Sequence, residues 1–559
     1  MATIPPTGEH DGDGRAAGMT VPEAGAARAE PGARERPAGN KWWTLVAVCL
    51  GTFMLLLDVT IVNVALPDIQ QSLKATFSDL QWVVDAYALT LSAMLLTSGS
   101  LADQFGRRRF YAVGLVLFIL ASLSCGLATS GLYLEISRGV QGVGGAIMFA
   151  VSLALLADAF QGKERGVAFA VWGAVTGVAV AIGPLLGGAL TSGLSWRWIF
   201  LVNLPIGAVA LAITLTRVRE SKATQARRTD WAGFVTFTLA LASLVYALIE
   251  SGPRGFTDPL VLACYAASAA LGVLFVVLEL HRRDAMLDLS LFRLPTFSGG
   301  LVAAFALSAS LFALLLYIVL YIQDLLGFSP LRTGLQLLIL SGSILVASFA
   351  AGSLTERVPI RLLIGPGLAI TGVGLLLMRG LGPASHWTHL IPGFIVAGVG
   401  AGMVNPPLAS TAVGVVRPER SGMASGINST FRQIGFATGI ALLGTLFATR
   451  TRAVVIDRLA VIPGGRAHGE QIATALQAGK LTQAITALPV QARAAAGTAA
   501  RAAFTSGLDE ILLIGGIIAL AAAVITFFSI RSKDFTRYDQ DPADTVAGQP
   551  TARPADTPA

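Results

Sequence analysis

The sequence predicts an all-α polytopic membrane protein, and three observations carry that prediction. The 559 residues are 54% hydrophobic and 13% charged, about half the roughly 25% charge of a water-soluble chain. Mean hydropathy is +0.68. Apolar runs of about 20 residues, the length that crosses a bilayer, recur along the chain. A soluble chain this long would be several domains with polar surfaces, and the charge here is too sparse to cover them. Soluble enzyme, fibrous protein and nucleic-acid binder fall away together.

Runs of spanning length lie near 43–67, 81–101, 110–129, 132–157, 166–190, 197–216 and 231–250, then near 258–280, 297–322, 334–354, 360–378, 389–413, 422–448 and 509–530. That is fourteen expected transmembrane helices, so both tails lie on one side. Loops on that side carry seventeen Lys and Arg, including Arg107–Arg109 and Lys222, against five in the short opposite loops. By the positive-inside rule both termini are cytoplasmic. The net charge of +7 is therefore read as topology rather than a basic groove. Cys49, Cys125 and Cys264 fall inside apolar runs without a CxxC or His neighbour, so core packing is expected and no metal or disulfide. Residues 1–42, rich in Pro, Gly, Ala, Glu and Arg, read as a disordered tail, with no signal peptide.

The chain repeats itself. Gly99-Ser100-Leu101-Ala102-Asp103 returns as Gly352-Ser353-Leu354-Thr355-Glu356, an offset of 253. Glu164-Arg165 echoes as Glu419-Arg420, and Gly142-Val143-Gly144 as Gly398-Val399-Gly400. Both repeats start on one membrane side, which makes parallel halves about an axis along the membrane normal. The expected division is a tail (1–42), a six-helix bundle (43–217) and a linker with two extra helices (218–296). Helices 9–13 of the second bundle (297–449), a long extracellular loop (450–507), the last helix (508–531) and a tail (532–559) follow. In the long loop Ile472, Leu476, Leu481, Ile485 and Leu488 stand at near-helical spacing; a surface amphipathic helix and a plain spacer are both open. Parallel halves around a central site describe an alternating-access transporter.

Several motifs then stand out. Span one reads Leu57-Asp58-Val59-Thr60-Ile61-Val62-Asn63-Val64-Ala65-Leu66-Pro67, and the next inner loop carries Gly99, Asp103, Gly106, Arg107 and Arg108. Span four has Arg138-Gly139-x-Gln141-Gly142-x-Gly144; span five has Gly173, Gly177, Gly183-Pro184, Gly187 and Gly188. Trp196-Arg197-Trp198-Ile199-Phe200-x-x-Asn203-x-Pro205 opens span six. Over roughly 43–530 these resemble the major facilitator superfamily, and within it the 14-span drug:proton antiporters of the EmrB/QacA type. The resemblance implies two six-helix bundles plus two extra central helices, and a gating role for the span-five antiporter motif.

The residues themselves suggest roles. Asp58 lies about 22 Å along span one, where an acid needs a partner or a task. It is expected to be a protonation site required for coupled efflux, against the alternative of an inter-helix anchor. Asp85 is a second acid for proton coupling, or a water-wetted interfacial group. Arg138, with Glu135 at i−3 as its nearest sequence partner, reads as a proton relay or a structural ion pair. Asp58, Gln141 and Arg432 are the substrate-cavity candidates, and Arg432 contacts substrate or pairs with an acid not identified from sequence. Asp103 with Arg107 and Arg108 reads as a conformational latch. The span-five glycines read as a close-packing face with a kink at Pro184.

No Walker lysine loop, HExxH, GxSxG or Cys/His cluster is present, so an ion gradient rather than ATP is the expected energy source, and no catalysis or cofactor is expected. The predicted function is proton-coupled efflux of amphipathic organic compounds, multidrug or antibiotic, across the cell membrane. The partners are lipid, a small substrate and protons, with no obligate protein. A metabolite permease of the same fold and a non-transporting receptor or scaffold are the alternatives. The tails look too short for the latter's signalling domain.

Overall fold

The computed structural model describes residues 38–160, 162–222, 230–282, 287, 289–355, 357–415, 421–460 and 490–535. They form α1 (Ala38–Leu73), α2 (Phe77–Phe105), α3 (Arg107–Gly126), α4 (Gly131–Ala159), α5 (Gly162–Gly193) and α6 (Trp198–Arg217). The linker adds α7 (Trp231–Arg254) and α8 (Pro259–His281). The second set is α9 (Pro295–Leu325), α10 (Pro330–Leu354), α11 (Arg361–Leu377), α12 (Ile391–Gly414), α13 (Ser421–Ala460) and α14 (Val490–Ser529). Among the described residues there is no strand, and twelve helices are long and apolar enough to cross a membrane. Helix α2 and the 17-residue α11, outside that set, stand where the second and eleventh spans are expected. The chain is therefore all-α, as predicted.

Local chemistry sets the helix ends. Thr76 caps α2 in a capping box, its hydroxyl accepting from the Asp79 amide at 3.2 Å while Asp79 accepts from the Thr76 amide at 2.7 Å. Gly106 breaks α2 from α3 at φ 104°, a conformation only glycine adopts cheaply. We call the membrane face where α1 begins the tail side and the other the far side.

The sequence repeat does the same work twice in space. Gly142 of α4 lies against the Tyr87 carbonyl of α2, and Gly398 of α12 against the Leu340 carbonyl of α10. Gly144 packs on Gly114 and Phe118 of α3; Gly400 packs on Gly367 and Thr371 of α11. Each partner is displaced by the repeat's own 253 residues. A side chain at any of these glycines would strike backbone, so the motif's physical content is close helix approach.

Buried apolar residues divide unevenly. The tail-side part of the first bundle has its own core, including Val48, Tyr111, Phe118 and Leu155. Its far-side part, with Leu57, Leu66, Leu80 and Phe200, belongs to one core continuous with Leu311, Tyr317, Leu368 and Phe436 of the second bundle. The bundles are thus fused toward the far side and have separate cores toward the tail side. Helix α7 packs on both, against α2 and α13, and Trp82 meets Tyr246 at 6.1 Å. Helix α8 is the outer of the pair, its Val273, Leu274 and Leu280 exposed.

One expected boundary moves. Residues 450–460 and 490–507 are helical, continuing α13 to Ala460 and starting α14 at Val490, where a loop over 450–507 was expected. Where these extensions begin, α13 and α14 pack on each other through Phe447 and Phe504 at 4.9 Å and an Arg450–Glu510 ion pair at 3.2 Å. Alanine-rich sequence is helix-forming however little it favours a bilayer. The 472–488 stripe lies outside the described residues.

Candidate functional site

Asp58 is fully buried, and five helices converge on it. Arg138 Nη1 of α4 donates to Asp58 Oδ2 at 2.5 Å and to Gln141 Oε1 at 2.8 Å. Gln141 Nε2 and Asn203 Nδ2 of α6 both donate to Asp58 Oδ1 at 2.9 Å. Ser122 of α3 accepts from Gln141 and Asn203 and donates to the Phe200 carbonyl. From α2, the Val83 carbonyl accepts from Arg138 Nε at 3.1 Å, and the Tyr87 ring lies 4.2 Å under the guanidinium. Two opposite charges and their hydrogen bonds are mutually satisfied, as a buried ion pair requires. Arg138 therefore pairs with Asp58 and not with the expected Glu135, which sits partly exposed near the start of α4. Being sealed in the bundle, Asp58 and Gln141 do not line the cavity described below, contrary to expectation.

Asp85 is the contrasting acid. It too is fully buried, but neither carboxylate oxygen has a hydrogen-bond partner among the described residues. One turn away, Gln81 Nε2 reaches across the seam between bundles to the Ile440 carbonyl of α13 at 3.1 Å. Tyr317 Oη of α9 donates to the same carbonyl at 2.6 Å, and Asp85 lies within electrostatic reach of that phenol. Asp85 is thus an uncompensated acid on the α2–α9–α13 seam rather than a wetted surface group.

A narrow cleft lies between the bundles, walled by Thr60 and Asn63 of α1, Pro184 of α5, Phe312 of α9 and Leu340 and Ser341 of α10. A mainly apolar wall with a few polar groups suits an amphipathic organic molecule. Phe312 ends a π-helical stretch, Ser308–Phe312, of the kind that re-aims side chains at functional sites.

The antiporter-motif glycines close the far end of this cavity. Gly183 and Gly187 lie against Thr60 and Ile61 of α1. Gly188 sits on the Pro330 carbonyl of α10, and reciprocally Gly334 sits on the Pro184 carbonyl of α5. Ser341 Oγ donates to the Ala181 carbonyl at 3.1 Å, and the Leu331 amide to Ser192 Oγ at 3.0 Å. Tailward the contact thins: Gly177 meets only a Leu345 methyl at 3.6 Å, and Gly173 meets nothing within 4 Å. The expected packing face thus holds for Gly187 and Gly188, joined by Gly183, but not for Gly173. Gly188→Ala and Gly334→Ala should each loosen the far-side seal. Labelling of a cysteine placed at Asn63 by a membrane-impermeant maleimide should rise severalfold in both, after removal of the three native cysteines.

At the latch, the described partner is one the sequence did not suggest. The Glu220 carboxylate accepts from the Arg108 and Arg109 amides at 3.0 and 3.2 Å, placing an anion on the N-terminus of α3. The Arg107 amide donates to the Ser221 carbonyl at 2.9 Å. Gly99 meets nothing within 4 Å, and the Asp103 side chain lies outside the described residues. Arg432 is partly exposed, in the first half of α13.

These features meet in one comparison: the sequence model of the Major Facilitator Superfamily matches residues 48–440. The chain belongs to the major facilitator superfamily. Relatives within it include the multidrug resistance protein Stp of Mycobacterium tuberculosis, 39% identical over 74% of this chain and 78% of that one. The puromycin resistance protein pur8 of Streptomyces alboniger is 35% identical over 82% and 93%. The tetracenomycin C resistance and export protein of Streptomyces glaucescens is 30% identical over 91% and 96%. A solved bacterial homologue of the lysosomal transporter Spinster, inward-facing and occupied, shares the fold at TM-score 0.62 and 16% identity, covering 89% of this chain and 99% of that one.

Proposed function

We propose that this major facilitator protein is a carrier that exports amphipathic organic compounds, antibiotics among them, in exchange for protons. The single observation that supports it best is the cleft between bundles, closed at the far side, with an uncompensated Asp85 on a second seam between the same bundles. With the tail side cytoplasmic, as loop charge predicts, this conformation takes substrate from inside the cell. Protonation of Asp85 would remove its charge without needing room for a larger ligand at the closed seam. The Asp58–Arg138 pair serves as the scaffold that keeps α1, α4 and α6 moving as one body. No covalent step is needed, so the protein is a transporter of the cell membrane and not an enzyme.

The test uses everted membrane vesicles from an efflux-deficient host, energised by respiration. Uptake of rhodamine 6G or sulforhodamine B that collapses on adding a protonophore supports proton-driven export. Dye uptake that ignores the protonophore contradicts it. Topology has its own check: with native cysteines removed, a cysteine at Ala478 should react with impermeant reagent in intact cells and one at Ala547 should not. The reverse pattern would overturn the orientation.

A further inference from the structure

Arg432 is a cation with no balancing acid among the described residues. Among the described residues it makes no hydrogen bond or ion pair, and no neighbouring charge there acts on it. An ion so placed in a membrane helix is costly, and is tolerated only facing the bundle interior or a cavity. The surroundings show which. Helix α13 packs against α2, α7, α9, α12 and α14, and no described side chain from Met423 to Ala448 is fully exposed. The packing of five helices around α13 favours the bundle interior for the partly exposed Arg432.

Its height in the molecule follows from two contacts. Gly435, three residues along, lies on the Phe305 backbone of α9. Phe305 is seven residues, or roughly 10 Å, tailward of Phe312, which lines the cavity. Arg432 thus stands on the tail-side approach to that cavity. The nearest acid in register is Asp85. From the Gln81–Ile440 contact, antiparallel α2 and α13 bring Asp85 opposite Phe436, about 6 Å from the level of Arg432. Asp85 nonetheless leaves both its oxygens unpartnered, so it does not take up the guanidinium.

We infer that Arg432 is an anion-recognition residue of the transport path, selecting substrates that carry an acidic group such as a carboxylate or sulfonate on an apolar body. A guanidinium offers a planar fork of donors matched to such groups. The apolar walls at Phe312 and Leu340 take the rest of the molecule. This assignment rests on the export function proposed above and names its substrate class.

Two xanthene dyes separate the claims, sulforhodamine B with net negative charge and rhodamine 6G with positive charge, in the same energised everted vesicles. Wild type should accumulate sulforhodamine B. Arg432→Gln should lose at least about tenfold of that uptake, as expected for a lost charge-assisted contact, while rhodamine 6G uptake changes little. Arg432→Lys should keep part of the anion uptake, because charge remains but the fork is gone. Membrane quantities of each variant are matched by size-exclusion chromatography of a fluorescent fusion. Undiminished sulforhodamine B uptake by Arg432→Gln overturns the assignment. So does an equal loss of both dyes in the Gln and Lys variants, which would make Arg432 structural. Wild type that exports rhodamine 6G alone overturns the substrate class and leaves the export function standing. Wild type that moves neither dye counts against export itself, and the assignment falls with it.

Discussion

Asp85→Asn is expected to fold, reach the membrane and bind dye like wild type, yet to lose proton-driven accumulation almost completely. The substitution keeps shape and removes only the titratable group. Because no described residue bonds either Asp85 oxygen, no native interaction is broken by it. Energised everted vesicles give the coupled rate, and counterflow without a gradient gives the uncoupled one. Counterflow should survive while accumulation falls to background. Accumulation at the wild-type level would remove Asp85 from the coupling machinery.

Asp58→Asn is expected to fail differently, through stability. Here the substitution leaves the Arg138 guanidinium, 1% exposed, without its counter-charge. Breaking one side of a buried pair costs about 3–5 kcal/mol, so expression and the melting temperature in detergent should fall sharply. The double variant Asp58→Asn/Arg138→Gln removes both charges and should recover much of that loss, since amides can still bond Ser122 and Asn203. Thermal unfolding followed by size-exclusion chromatography measures both. If the single variant is as stable as wild type, the pair is not a scaffold. If the double variant is no better than the single, charge compensation is not what Asp58 supplies.

The contrast between the two acids was only half legible in the sequence. Hydropathy located the apolar helices, and the offset repeat located the matching glycines of α4 and α12, because both signals are local. Pairing was not local. Arg138 lies 80 residues from Asp58 but only three from Glu135, and helix spacing favours the near neighbour. Asn203 stood inside a quoted motif, and a lone amide in an apolar span was the available signal. Ser122 and Tyr87 gave none, since such residues are ordinary in membrane helices. The π-helical turn at Ser308–Phe312 is invisible in a run of small and apolar residues, because no charged or strongly polar stripe marks the change of pitch. The helical extensions to Ala460 and from Val490 were missed by a different route: hydropathy scores bilayer fit, whereas alanine content scores helix formation.

Proton release on substrate binding tests the central claim most directly. Purified protein in lightly buffered detergent, with a pH indicator, receives whichever of the two dyes wild type exports. Wild type is expected to release roughly one proton per dye bound, the linkage required of a site that exchanges one for the other. Asp85→Asn should bind the dye and release none. Equal release from wild type and Asp85→Asn would contradict exchange at Asp85.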